Sequence, residues 1–175
     1  AVGQTPRGKA ILRSGAKQGD IIFVTGSLGG SRIKEKHLTF EPRVREGAFL
    51  INHATSCIDL SDGIASDLFH ICRASGTGAM IDTLTIPLNP AIPSGTPRYA
   101  RIRRALCDGE DFELLFTIPK NKEKSFLKQW KALFKLSCTR IGEMTSQPTR
   151  IKCRWEDGKT SVLKRKGYEH FKNKT

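Results

Sequence analysis

The 175-residue sequence has no hydrophobic run near the length of a membrane span, no paired-cysteine motif and few acidic residues in its last third. A span needs about 18–20 apolar residues; a stretch such as Ile21-Ile22-Phe23-Val24 suits a short buried strand instead. The start carries no basic-then-apolar leader, and it opens at Ala1 rather than at a methionine, which fits a processed or excised piece of a longer polypeptide. The five cysteines, at 57, 72, 107, 138 and 153, are odd in number and none has CxxC spacing. That argues against a disulfide framework or a zinc site. Cys57 and Cys72 fall within apolar patterns and read as reduced core residues, so the chain is read as cytoplasmic. His37, His53, His70 and His170 form no pair one helical turn apart and are read as structural or surface residues.

Charge is unevenly spread. Residues 1–119 carry 14 Lys/Arg against 12 Asp/Glu, whereas residues 120–175 carry 16 against 5, so most of the net +13 lies in the last third. Such a region could meet nucleic acid or a membrane surface. No stacking platform or named nucleic-acid motif accompanies it, which favours a solvated basic face with some attraction for phosphorylated ligands.

Hydrophobic periodicity orders the rest. Ile21–Thr25 is β-branched and aromatic and reads as a buried strand. Gly26-Ser27-Leu28-Gly29-Gly30-Ser31 follows as a glycine-rich connection, and a helix is expected just past Pro42. Ser56–Leu60 reads as a second strand, running through Ser61-Asp62-Gly63 into a helix with Ile64, Leu68, Ile71 and Cys72 on one stripe. Ala79–Asp82 is a third strand, the four prolines of 87–97 mark a surface loop, and Arg98–Leu106 is a helix burying Ile102, Ala105 and Leu106. Phe112–Ile118 reads as a strong strand. A basic amphipathic helix follows, with Phe126, Leu127, Trp130, Leu133 and Phe134 on one face, expected to cover a sheet rather than lie on a membrane. Short strands at 138–144, 150–155 and 160–163 close the chain, the last two joined by Glu156-Asp157-Gly158. Interleaved elements ending in hairpin-spaced strands predict an α+β domain, a mixed β-sheet flanked by α-helices.

Two acidic segments could carry chemistry. In Ile58-Asp59-Leu60-Ser61-Asp62-Gly63, two carboxylates and a hydroxyl stand between a strand end and a helix start, where exposed amides favour anions. A phosphate could use the amides and Ser61, but bare carboxylates would repel it; magnesium would reconcile the two, since a hard cation accepts both kinds of oxygen. The alternative is a plain helix cap with Asp59 in solvent. Cys107-Asp108-Gly109-Glu110-Asp111-Phe112-Glu113 packs four carboxylates ahead of a strand, as a site or as an exposed turn. Arg13-Ser14-Gly15-Ala16 sets a guanidinium in a small turn suited to a phosphate, or simply solvated. The glycines at 26, 29 and 30 suggest a phosphate cradle but lack the Lys-Ser/Thr ending of a P-loop.

In order along the chain, Arg13-Ser14-Gly15-Ala16, Gly19-Asp20, Val24-Thr25-Gly26, Pro42-Arg43-Val44, Ile58-Asp59-Leu60-Ser61-Asp62-Gly63, Asp67-Leu68, His70-Ile71, Gly109-Glu110-Asp111-Phe112-Glu113-Leu114, Ile141-Gly142-Glu143 and Gly167-Tyr168-Glu169-His170-Phe171 resemble the C-terminal domain of the thiamine-monophosphate kinase family. That family lies within the aminoimidazole-ribonucleotide-synthetase-like superfamily. Asp108 stands where the family motif has its first glycine. The resemblance implies the superfamily's layered C-terminal-domain fold and transfer of the γ-phosphoryl group of ATP to thiamine phosphate, giving thiamine diphosphate. It implies Arg13 and Ser61 as ATP contacts, Asp59 and Asp62 as Mg2+ ligands, and Glu110 and Tyr168 as contacts to thiamine phosphate. It also implies that residues 1–175 form one C-terminal domain, that a metal-binding N-terminal domain of the same polypeptide completes the site, and that the parent is a homodimer. The piece alone should then bind nucleotide weakly and not turn over. The other readings are a different superfamily member, of the hydrogenase-maturation or selenophosphate-forming type, or a non-catalytic basic module binding nucleic acid.

Overall fold

A computed structural model describes residues 5, 7–31, 33 and 35–163, with only the backbone of Lys36 and His37. Tyr168, His170 and the motif around them lie outside the described residues.

Seven strands form one sheet: β1 (Ile21–Thr25), β2 (Ser56–Asp59), β3 (Gly78–Asp82), β4 (Leu114–Ile118), β5 (Cys138–Thr145), β6 (Ile151–Arg154) and β7 (Thr160–Val162). Their order is β2-β4-β1-β5-β3-β6-β7. Every neighbouring pair is antiparallel except β3–β6. The sheet is therefore mixed, as its short closing strands predict. The helices are α1 (Lys36–Thr39), α2 (Val44–Leu50), α3 (Ile64–Ser75), α4 (Arg98–Cys107) and α5 (Glu123–Leu133).

The central strand explains the layers. All five residues of β1 are buried, and its side chains alternate between two cores. Ile22 and Val24 join Leu68, Ile71, Ile102 and Leu106 from α3 and α4. Ile21 and Phe23 join Leu50 of α2 and Phe126 and Trp130 of α5 on the opposite face. Each such side chain adds about 1.5–3 kcal/mol when taken fully out of water. The Trp130 indole N–H also donates to the Leu136 carbonyl at 2.8 Å, so burial leaves its polar atom satisfied.

α5 thus covers the sheet with its lysines outward, and Leu133 stays 58% exposed at the end of the stripe. No helix among the described residues is long and apolar enough to cross a membrane. The helix past Pro42 begins at Val44 and ends at Leu50. α3 stops where Gly76 takes a left-handed conformation, φ 65°, suited to glycine. The 87–97 loop packs more closely than its prolines suggest, burying Asn89 and Ile92.

All five cysteines are free thiols. Burial pushes the Cys57, Cys72 and Cys153 thiols up to about 12 and raises Cys138 as well. Since the thiolate is the nucleophile, these four are expected to resist a thiol reagent at pH 8 in the native protein and to react fully in denaturant. Reaction of any of the four at its denatured rate would contradict their placement.

Candidate functional site

The chain builds its site at the open edge of the sheet. β2 ends at Asp59, whose side chain is exposed, and the backbone then turns through Ser61-Asp62-Gly63 into α3. The strand is one residue shorter than its sequence suggests, so Asp59 and Ser61 do not share a single extended strand. Nor is Asp62 the helix cap: the cap position belongs to Gly63, with no side-chain cap bond.

What satisfies the amides there is Asp67, one turn into α3. Its Oδ2 accepts the Asp62 N–H at 3.0 Å. Asp67 is buried, and burial is the first cause raising its carboxyl to about 7. The Asp62 and Gly63 amides pull the value down, while the charges of Asp62 and Asp59 push it up. Three carboxylates therefore share one region of negative potential, and the Asp59 and Asp62 side chains make no hydrogen bond or ion pair among the described residues. Sequence reading assigned Asp67 no role, although a carboxylate in the first turn of a helix whose cap position is a glycine is a findable signal.

The shifted carboxyl has a measurable consequence. The fold prefers the protonated form, so Asp67 supports stability fully below its ordinary value of 3.8, and that support is lost as pH rises through about 7. In chelator-treated protein, Asp67→Asn is expected to flatten this part of the stability–pH curve. Urea midpoints at pH 4.5 and 7.5 measure it; an unchanged slope in the variant would exclude Asp67 as the source.

The second acidic segment lies beside the first. The Glu110 N–H donates to the Ser61 carbonyl at 2.8 Å, Phe112 N–H to the Leu60 carbonyl at 2.9 Å, and Leu60 N–H to the Glu113 carbonyl at 2.8 Å. At Gly109, φ is 69° and an added Cβ would come within 2.5 Å of the Ser61 oxygen, so the close approach requires glycine. Glu110 therefore stands against Ser61 and Asp62, although 49 residues separate Glu110 from Ser61 in sequence.

The four carboxylates of this segment do not act together. Asp111 turns inward onto the Gly29 N–H and the Ser31 hydroxyl. Glu113, fully buried, takes a forked pair of bonds from Arg43 at 2.9 and 2.7 Å and one from the Thr25 hydroxyl at 2.7 Å. Asp108 pairs with Arg104 at the surface, 3.2 Å away. Glu110 is joined to the edge of the site through its backbone bond to Ser61. Phe112, expected to open a strand, has φ 48°; β4 starts at Leu114.

Arg13 reaches the same edge from the other side. The Cys57 N–H donates to the Leu12 carbonyl at 3.0 Å, and the Ser75 hydroxyl donates to the Arg13 carbonyl at 3.3 Å. Arg13, Ser14 and Asp59 then line one open cleft of about 500 Å³. The structure thus brings Arg13, Asp59, Ser61, Asp62 and Glu110 to one end of the sheet. No cluster of three or more His, Cys, Asp or Glu side chains able to hold a metal occurs among the described residues.

Comparison with known proteins finds sequence relatives that are thiamine-monophosphate kinases. The chain is 37% identical over 189 aligned positions to thiamine-monophosphate kinase of Escherichia coli K12, covering 97% of this chain and 58% of the relative. It is 35% identical to that of Bacillus subtilis, covering 98% of this chain and again 58% of the relative. Over nearly its whole length this chain is similar to thiamine-monophosphate kinases. Among solved structures, the thiamine-monophosphate kinase of Stenotrophomonas maltophilia superposes with a TM-score of 0.77 at 28% identity, covering 91% of this chain and 56% of that one. AaThiL complexed with AMPPCP and TMP gives 0.70 at 29%, over 92% and 54% of the two chains. Escherichia coli HypE, a hydrogenase maturation protein, gives 0.75 at 18% identity, a likeness of fold alone. No family model matches the sequence. The chain spans a little over half the length of the thiamine-monophosphate kinases it matches.

Proposed function

We propose that this chain is the C-terminal part of a cytoplasmic thiamine-monophosphate kinase, which transfers the γ-phosphoryl group of ATP to thiamine phosphate and yields thiamine diphosphate. The observation that carries the reading is the convergence of Asp59, Ser61, Asp62 and Glu110 at one sheet edge, through backbone bonds that join two segments distant in sequence. The likeness to named kinases over nearly the whole chain supports the choice of enzyme within the superfamily.

Phosphoryl transfer asks little covalent chemistry of the protein and depends on positioning and charge neutralisation. Arg13 and Ser61 bind the nucleotide in this reading, the guanidinium and the hydroxyl both being suited to phosphate oxygens. The donors at Asp59 and Asp62 are hard carboxylate oxygens, and one or two carboxylates with substrate phosphates suffice for magnesium. Magnesium, when bound there, offsets the charge that develops on the phosphates. Asp67 holds the Asp62 amide and so fixes the turn that presents Asp62. Glu110 and Tyr168 orient thiamine phosphate, a carboxylate and an aromatic face being suited to its cationic ring.

The matched kinases are longer than this chain, which supports a second domain of the same polypeptide completing the site, with a homodimeric parent as the family resemblance implies. The test is product analysis with the full-length polypeptide, ATP, Mg2+ and thiamine phosphate. Formation of thiamine diphosphate supports the reading. Its absence, with turnover of another phosphoryl acceptor, moves the protein to a different branch of the superfamily.

A further inference from the structure

The glycine-rich segment 26–31 has the form of an anion cradle, yet the anion it holds is internal. The Gly29 N–H donates to both oxygens of Asp111, at 3.0 and 2.9 Å, and the Ser31 hydroxyl donates to one of them at 2.7 Å. Asp111 is only 2% exposed. A carboxylate of the chain itself thus fills the place a phosphate would take, and a second anion there would meet its charge.

The cradle is anchored on its far side. The Leu28 N–H donates to the Pro87 carbonyl at 2.8 Å and the Asn89 N–H to the Leu28 carbonyl at 2.9 Å. Gly29, at φ 81°, lies so close to α4 that a Cβ would fall within 2.5 Å of the Ala105 nitrogen. On its near side, Asp111 sits between Glu110 at φ 58° and Phe112 at φ 48°. Residues with a Cβ keep two such left-handed conformations in one turn only where the surroundings enforce them, and such turns gather at functional sites.

We infer that Asp111 is a positioning residue: clamped by Gly29 and Ser31, it locks the 109–112 turn and so aims Glu110 across Ser61 and Asp62 at the phosphoryl acceptor. The identity of that acceptor rests on the kinase reading; the clamp does not. Its role is to set how well the acceptor is held, rather than how fast phosphoryl moves once it is bound.

The test uses the full-length polypeptide with Asp111→Asn, Ser31→Ala and Ser31→Thr. Asp111→Asn is expected to raise KM for thiamine phosphate about tenfold while KM for ATP and kcat stay within about twofold. Ser31→Ala should shift the same constant less, and Ser31→Thr, which keeps the hydroxyl, should restore it. Hydrogen exchange supplies the second reading: the Glu110 and Phe112 amides should exchange about tenfold faster in Asp111→Asn, with β1 and β4 unchanged. If Asp111→Asn does not fold, Ser31→Ala carries both measurements. A parallel loss in kcat and both KM values, or unchanged exchange at those two amides, overturns the inference. A wild-type protein that does not phosphorylate thiamine phosphate overturns the kinase reading instead, and exchange then decides the clamp by itself.

Discussion

Replacing Arg43 with methionine is expected to lower the unfolding free energy by about 3–5 kcal/mol, the range for stranding one partner of a buried ion pair. Glu113 is fully buried, and the Arg43 side chain is 15% exposed where it meets it. The carboxylate accepts two bonds from the guanidinium, which raises the Arg43 pKa chiefly through that hydrogen bonding. Methionine keeps much of the packing of the arginine stem and removes the charge that opposes Glu113, while the Thr25 hydroxyl continues to donate to the carboxylate. The double variant Arg43→Met with Glu113→Leu should recover most of the loss, because two apolar side chains in place of a buried pair are often neutral. Urea unfolding with an unchanged m-value measures both. A single variant as stable as wild type would show that the buried charge has another means of compensation.

That pair also bears on the site. The Glu113 carbonyl accepts the Leu60 N–H, while its carboxylate is held by Arg43 ahead of α2 and by Thr25 at the end of β1. The junction where β2 gives way to Ser61-Asp62 is thereby tied to the central strand and to the opposite helical layer. Stability and site geometry meet at one residue, which is why an acidic motif contributes both a surface carboxylate and buried ones.

Local pattern made much of the fold legible. β1 is found at the residues its β-branched run predicts, and α3 buries Ile64, Leu68, Ile71 and Cys72 as their stripe requires. α4 buries Ile102, Ala105 and Leu106 because their spacing puts them on one face. The acidic residues were harder to read. Asp108, Glu110, Asp111 and Glu113 look equivalent in sequence, and only tertiary contacts distinguish them: Asp111 finds Gly29 some 82 positions away, and Glu113 finds Arg43 across 70. Phe112 reads as a strand residue by its aromatic preference, but the two bonds that pair 110–112 with 60–61 force the turn. The glycines at 29 and 30 suggest a phosphate cradle because an amide facing a buried carboxylate and one facing a phosphate ask the same freedom of the backbone.

In the full-length polypeptide, Asp59→Asn and Asp62→Asn are each expected to lower kcat by about 10²–10³-fold, the scale for losing one charge-stabilising group in an active site. Asparagine matches aspartate in size, so the β2 end and the α3 start should remain folded, and what disappears is one negative charge at the proposed phosphate site. The magnesium concentration for half-maximal rate should rise in both variants. A second readout is independent of turnover. Asp62 and Asp59 each push the Asp67 carboxyl upward, so removing either charge should bring its titration down from about 7 toward the ordinary 3.8 without reaching it, since burial is the larger cause. Carboxyl-carbon NMR of the metal-free chain follows that titration directly. If kcat falls and Asp67 does not move, the two aspartates act apart from each other and from Asp67, and the shared negative region on which the magnesium assignment rests does not exist. If Asp67 moves and kcat holds, the region exists and phosphoryl transfer takes place elsewhere.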